Sequence, residues 1–419
     1  MIKDIFIRAT IVMRLETGPL GSHLNALATA LQDQRYTTST ISIHLREAHA
    51  FGCWLTENHL HLSDISEVTL EHYLSACSTH PKSLSRKRRK KISAAINTLL
   101  RHLRNVGAIP PQPAETPLDA EGQQWLIRYR EHLEKVLGLA PTTRQKYLFF
   151  ATRLMSSISR QRVIEWSAFN ADRIIKFVRT DAAPRKGFGP HGTATAVRSL
   201  LRFLVSQGRL SAGLETAIPT IRRYSHAALP QRLSDSEISR LFTACADASA
   251  IGKRDYAMLL LLSRLGLRAK EIVGMQLNDI DWINGSLLIR STKTHCQRAL
   301  PLARDVGVAL VDYLQHGRPT TASRTVFVTH RAPFLSLKGA SAVTHTVKRL
   351  LAKAGIERRS SGAHLFRHTA ATQMVNRGAS FKEVADVLGH QKLQTTTIYA
   401  KLDLAALSEV ALPWPGGAQ

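Results

Sequence analysis

Between Gly362 and Ala400 the stretch GAHLFRHTAATQMVNRGASFKEVADVLGHQKLQTTTIYA is punctuated so closely that few local structures fit it. Its apolar spacing predicts a helix from about Ala363 to Arg377. Gly378 stops that helix, since glycine accepts the left-handed backbone that follows a helix end. Ser380 and Glu383 form the reciprocal S-x-x-E cap of a second helix, which ends at Gly389, and a short third helix follows. On the first helix His364, Arg367 and His368 fall at i, i+3 and i+4, so one face presents two imidazoles and a guanidinium. His390 comes directly after the Gly389 stop, and Tyr399 stands nine residues later.

Such a face suits chemistry on a phosphodiester. A guanidinium offers a planar fork that matches phosphate oxygens, and imidazoles donate hydrogen bonds or move protons near neutral pH. A tyrosine hydroxyl can serve as a covalent nucleophile, although its ordinary pKa of about 10 requires activation by neighbours. A single Tyr or His on a helix is more often packing or surface than catalysis. These residues by themselves leave both readings open.

The motifs HLFRH, LGH and TTTIYAKLD resemble the C-terminal signature of the tyrosine recombinases, also called the phage integrase family. Two earlier motifs of that family are present in order. Arg268 is followed three residues later by the acid Glu271, and Lys293 lies in STKTHCQRALPL, where the family places a lysine on a β-hairpin. The segment departs from the commoner Gly-rich hairpin tip, with Thr294-His295-Cys296 after the lysine. The resemblance covers residues from about 231 to 402 well and from about 119 to 215 more loosely.

The resemblance implies a mainly α fold, with helical (SAM-like) DNA-clamping domains and a helix-rich catalytic domain carrying a small antiparallel β-sheet. It implies site-specific DNA strand exchange through a 3′-phosphotyrosyl intermediate, with no ATP, metal or other cofactor. Tyr399 is the expected nucleophile. Arg268 and Arg367 are the expected clamp on the non-bridging oxygens, and Lys293 is expected to protonate the leaving 5′-oxygen. His364 is expected to assist proton transfer with Tyr399, and His390 to donate to the phosphate. Glu271 would brace Arg268, and His368 would support the same face. The implied partners are a double-stranded recombination site and a homo-tetramer assembled on it.

Charge agrees with a polyanionic partner: 57 Lys and Arg stand against 31 Asp and Glu, a net +26. Hydrophobic residues make up 44% of the chain, enough for folded cores rather than a disordered basic tail. Cys53, Cys77, Cys245 and Cys296 form no C-x-x-C pair, which fits a reducing compartment and argues against a cysteine zinc site. MIKDIFIRAT lacks the apolar core of a signal peptide, and the run Ala257 to Leu262 is too short to span a bilayer. The expected setting is the bacterial cytoplasm, at the nucleoid.

Along the chain, residues 1–110 are expected to form an N-terminal helical DNA-binding domain, with a short strand around Ile5 to Met13 in its lead-in. A Pro-rich linker follows at 111–118, a core-binding helical domain at 119–216 and a basic linker at 217–232. The catalytic domain spans 233–404. Past Tyr399 the chain continues with Leu402, Leu404, Leu407 and Val410 near helical spacing, and residues 405–419 are expected to form a tail that contacts another protomer. The run Arg86-Lys87-Arg88-Arg89-Lys90-Lys91 opens a helix that continues into Ile92, Ile96, Leu99 and Leu103. A charge run is usually a solvated face, but a folded helix with a basic first turn suits phosphate contacts, as do Arg222 and Arg223 of the linker.

The first segment is expected to duplicate the second. Thr98-Leu-Leu-Arg-His-Leu-Arg-Asn-Val-Gly107 resembles Ser199-Leu-Leu-Arg-Phe-Leu-Val-Ser-Gln-Gly208 at an offset of 101, while Thr37-Thr38 and Thr142-Thr143 open corresponding helices at 105. The extra segment favours a mobile-element enzyme, acting in integration, excision or transposition, over a chromosome-dimer resolvase. A type IB topoisomerase, which would share this chemistry, is a weaker alternative given the Xer-like motif register and the tail beyond Tyr399. A non-catalytic DNA-binding protein is weaker because the whole catalytic set is present.

Overall fold

The computed structural model describes residues 2–77, 85–111, 118–181, 190–218, 231–290, 297–358 and 362–390. Lys293, Tyr399, Arg222, Arg223, nearly all of both expected linkers and the tail 405–419 lie outside them. By Cα proximity, residues 113–228 form one compact unit, and residues 1–112 and 229–419 fall in the other. The described buried apolar side chains gather in three large cores, within residues 2–109, 118–218 and 233–366, and a small fourth within 371–388. The fold is mainly α with small antiparallel sheets.

The first core is built from α1 (Ile2–Ile5), α2 (Ala9–Thr17), α3 (Gly21–Asp33), α4 (Thr38–Glu57), α5 (Glu67–Ala76) and α6 (Arg86–Asn105). The strand expected around Ile5 to Met13 is instead the end of α1 and the start of α2. β-branched residues there suggested extended backbone, but Ile2 with Phe6 and Val12 with Leu15 bury at helical spacing into the core, and packing overrides local propensity. Side chains fix the helix starts. Thr37 accepts from the Thr40 N–H, and Ser85 accepts from the Arg88 N–H, which opens α6 on the basic run. Arg86 to Lys91 are all exposed, while Ile92, Ile96, Leu99 and Leu103 of the same helix are buried.

The second unit has fewer helices and a small hairpin. It contains α7 (Ala120–Glu131), α8 (Pro141–Ser157), a two-residue hairpin of β1 (Ser159–Arg160) and β2 (Val163–Ile164), α9 (Ala171–Asp181) and α10 (Pro190–Ser206). Ala48, Phe51 and Leu55 of α4 match Ala151, Leu154 and Ile158 at the end of α8, all buried. Ile65, Leu70, Tyr73 and Leu74 match Phe169, Ile174, Phe177 and Val178, each set following a single 3₁₀ turn. Ile96, Leu99, Leu100 and Leu103 match Val197, Leu200, Leu201 and Leu204, and both terminal helices end in a left-handed glycine, Gly107 and Gly208. The helix starts need one correction. Pro141 is the first residue of α8 and Ala140 its N-cap, so Ala140, not Thr142, stands where Thr37 stands in α4.

The third core belongs to α11 (Asp235–Cys245), α12 (Ala250–Leu265), α13 (Ala269–Gly274), a three-stranded sheet, α14 (Arg304–His316), α15 (Ser341–Lys353), α16 (Ala363–Asn376) and α17 (Phe381–Leu388). Strands β3 (Ile280–Asp281), β4 (Ser286–Arg290) and β5 (Gln297–Pro301) run antiparallel in that order, with Ile280 opposite Leu287 and Ile289 opposite Arg298. Ser380 with Glu383 makes the reciprocal cap expected from sequence, and Ser234 with Glu237 makes a second one at the start of α11. Ala371 and Val375 of α16 bury against Val384 and Leu388, which fastens α17 and sets where its C-terminus lies.

Candidate active site

The apolar α12 ends at Gly266, whose φ of +58° is the left-handed conformation glycine supplies at a helix stop. A Cβ there would lie 2.7 Å from Leu388 Cδ2, so a side chain would force that leucine of α17 to shift. The Gly266 carbonyl accepts from Arg367 Nη1 at 2.9 Å. Two residues on, Arg268 is the N-cap of α13, and its backbone N–H donates to Glu271 Oε2 at 2.8 Å while its Nη1 donates to Oε1 at 2.9 Å. The expected brace between Arg268 and Glu271 is therefore present.

Glu271 is 7% exposed and holds a second guanidinium that the sequence reading did not single out. Arg298 Nη1 and Nη2 donate to Oε1 and Oε2, both at 3.1 Å. Burial pushes the Glu271 carboxyl up. Hydrogen bonding and charge from Arg298, then the Arg268 N–H and charge, outweigh it and hold the group below the ordinary carboxylate value. A faint sequence signal for Arg298 exists: it shares the inward face of β5 with Leu300, and an inward-facing arginine needs a partner.

The three arginines converge on the end of α17. A helix leaves its last carbonyls without intrahelical partners, and they carry the negative end of the helix dipole. Here Val387 O accepts from Arg298 Nε at 2.9 Å, Leu388 O from Arg367 Nη2 at 2.6 Å, and Gly389 O from Arg268 Nη2 at 2.9 Å. Gly389 takes φ +64°, and a Cβ on it would stand 2.6 Å from Arg298 Nη1. Arg367 itself is 4% exposed, whereas the Arg268 side chain keeps 34% of its surface open.

The imidazoles surround this cationic centre. His364 and His368 lie one turn apart on α16 with ring centroids 6.5 Å apart. Partial desolvation, then Arg367 and Arg268, lower the His364 pKa; desolvation, then His364 and Arg367, lower that of His368. His390 is pushed down to about 4 by burial and by Arg367, Arg268, Arg298 and His368. At neutral pH the site thus holds neutral imidazoles beside guanidinium charges that only one described carboxylate, Glu271, offsets. That arrangement accepts an anion and can exchange protons with it. His364 is exposed and the Arg268 side chain keeps about a third of its surface open, so this face is reached directly from solvent. A duplex must be approached from outside, so an open face suits a backbone phosphate better than an enclosed pocket.

Arg268, His364, Arg367, His390, Glu271 and His368 are thus brought together, while Lys293 and Tyr399 lie outside the described residues. Among the described residues no group of His, Cys, Asp and Glu is arranged to hold a metal ion, and no helix is long and apolar enough to cross a membrane.

Comparison with known proteins places this geometry. The model of the phage integrase family matches residues 231–405. A Sinorhizobium fredii protein with the provisional name integrase/recombinase y4rA is 34% identical over 404 residues, covering 96% of each chain. Tyrosine recombinase XerC of Serratia marcescens is 31% identical over 304 residues, 70% of this chain and 95% of that protein. Among solved structures, the XerH site-specific recombinase in a post-cleavage complex with its palindromic difH substrate shares the fold. Its TM-score is 0.54 at 16% identity, over 82% of this chain and 94% of that one. The chain belongs to the phage integrase family, and it is a site-specific recombinase of the tyrosine type.

Proposed function

We propose that this recombinase cuts and rejoins DNA for the integration, excision or transposition of a mobile element, with Tyr399 as its nucleophile. The Tyr399 oxygen attacks the scissile phosphorus and the P–O5′ bond breaks, leaving a 3′-phosphotyrosyl link and a free 5′-hydroxyl. Lys293 gives a proton to the leaving 5′-oxygen, and neutral His364 takes the proton from Tyr399. The 5′-hydroxyl of a second strand then reverses the step on a new partner. The phosphotyrosyl bond keeps the energy of the phosphodiester, so the cycle requires no nucleotide hydrolysis.

The observation that carries this reading is the meeting of Arg268 and Arg367 beside His390 at the end of α17. Arg268 and Arg367 meet the negative charge that builds on the non-bridging oxygens, and His390 adds a hydrogen bond. His368 supports the same face from α16. The pairing of buried positions between residues 48–103 and 151–204 supports a duplicated clamp. In it the first copy meets phosphates through Arg86, Lys87, Arg88, Arg89, Lys90 and Lys91, and Arg222 and Arg223 follow the backbone in the linker.

XerC matches only 70% of this chain, and that surplus favours a mobile-element enzyme over a chromosome-dimer resolvase. Exchange between two duplexes attacks four phosphates, so the working form is a homo-tetramer on DNA, in the cytoplasm at the nucleoid. The test is a nicked suicide duplex carrying the cognate site, found from the DNA flanking the gene. Wild-type protein should become covalently linked to it, and Tyr399→Phe should bind it without linkage. A normal adduct yield with Tyr399→Phe would assign the nucleophile elsewhere.

A further inference from the structure

We propose that Arg298 is a positioning residue for strand cleavage: it ties Glu271 to the end of α17 and thereby sets Arg268 and His390 for the scissile phosphate. This rests on the reading of Arg268 and His390 as phosphate-binding groups. Arg298 lies in the STKTHCQRALPL segment five residues after Lys293, and its argument is geometric.

The three guanidinium nitrogens of Arg298 reach two separate elements. Nη1 and Nη2 meet the two oxygens of Glu271 on α13, and Nε meets the Val387 carbonyl at the end of α17. Glu271 in turn receives the Arg268 side chain and backbone N–H, so four donors fill the roughly four lone-pair sites of a carboxylate. Arg268 then returns to α17 at the Gly389 carbonyl. The contacts close a ring that runs Arg298, Glu271, Arg268, Gly389 and back through Leu388 to Val387. A Cβ at Gly389 would displace the Arg298 guanidinium from these contacts.

This ring separates positioning from direct phosphate binding. Arg298 is paired in a two-pronged contact with a buried carboxylate and its side chain is 14% exposed, whereas Arg268 is more open. Removing Arg298 leaves Glu271 buried with half of its donors gone and Val387 O without its Arg298 donor. A buried carboxylate deprived of one cation draws harder on the other, here Arg268. Arg268 and the turn bearing His390 then shift together, and small misplacements of reacting groups cost cleavage rate.

The experiment compares full-length wild type, Arg298→Ala, Arg298→Lys and Arg268→Ala in single-turnover cleavage of the nicked duplex. One substrate carries the ordinary phosphate; the other carries a methylphosphonate, in which an uncharged methyl replaces one non-bridging oxygen. Arg298→Ala should bind DNA as wild type does and cleave the ordinary phosphate about 100-fold more slowly. Arg298→Lys should recover only part of that rate, because an ammonium cannot span both carboxylate oxygens and a carbonyl. On the methylphosphonate, where less charge needs neutralising, the deficits of Arg268→Ala and Arg298→Ala should both shrink relative to wild type. A wild-type rate for Arg298→Ala overturns the proposal, and so does a deficit that stays the same on both substrates. If Arg298→Ala does not melt cooperatively, Arg298→Lys carries the same comparison. Absence of any adduct in wild type would instead sink the underlying reading of the site.

Discussion

Arg268 and Gly389 are joined across 121 residues of chain by a hydrogen bond from Nη2 to the carbonyl oxygen at 2.9 Å. The two preceding carbonyls are taken by Arg367 and Arg298, so the end of α17 is anchored by guanidinia from three different elements. His390 follows that anchor directly, and in sequence the chain continues from it to Tyr399.

Gly389→Ala tests the anchor. The new Cβ meets Arg298 Nη1 at 2.6 Å on a backbone held at φ +64°. The strain should cost about 1–3 kcal/mol and lower the melting temperature. Cleavage should slow more than DNA binding weakens. A variant that melts and cleaves like wild type would show that the turn tolerates a side chain.

Leaving-group chemistry tests Lys293. Lys293→Ala should lose cleavage of an ordinary substrate and regain it when sulfur replaces the 5′-bridging oxygen, since a thiolate leaves without a proton. Continued inactivity on the sulfur substrate would move the acid to another residue.

Acid sensitivity should report His390. Its folded pKa of about 4 lies below the ordinary 6.5, so between those values the unfolded chain binds the extra proton. The contribution to stability is complete above about pH 6.5 and is lost as pH falls toward 4. At ~1.36 kcal/mol per unit the shift sets a ceiling of about 3 kcal/mol, reduced by solvent screening of a half-buried ring. Chemical denaturation across this range should show a shallower acid loss for His390→Gln than for wild type. Equal losses would mean that the imidazole does not sit among the guanidinia.

Salt dependence should identify the basic turn of α6. Replacing Arg88, Arg89 and Lys90 by Ala should weaken binding and flatten its salt slope, each phosphate contact adding about −0.9. The exposed Arg89–Glu71 ion pair at 2.9 Å contributes little to stability, so the fold should survive. An unchanged slope would identify the run as a solvated face.

Assembly should depend on the tail. The spacing of Leu404, Leu407 and Val410 in the sequence predicts a short helix, which would gain stability only by docking. Deleting Ala405 to Gln419 should leave binding by single protomers intact and abolish synapsis and recombination. Mixing the truncated protein with full-length Tyr399→Phe and following cleavage locates the contact. A truncated protein that recombines alone at the normal rate would refute it.

Much of the candidate site was legible because its signals are local. The cap at Ser380, the stops at Gly378 and Gly389, and the Arg268–Glu271 spacing each involve residues within a few positions of one another. The helices of the first two segments were equally plain from their apolar spacing. The strand expected at Ile5 to Met13 gives way to helix because the conformation of this segment is set by burial of Ile2, Phe6 and Leu15. Arg298 went unmarked because its partners lie 27 and 89 residues away, and only its place beside Leu300 on one strand face hinted at burial.

The sequence by itself determined which helices form, where they stop and which arginines, histidines and tyrosine are available, since capping, glycine stops and apolar periodicity act over one or two turns. Tertiary structure alone decided that Arg268, Arg298 and Arg367 would meet three successive carbonyls around one buried carboxylate. Bringing those charges together carries a desolvation cost that is offset only when every donor finds its acceptor. That condition is met by the packing of α12, α13, α16, α17 and β5, and by no short stretch of the chain.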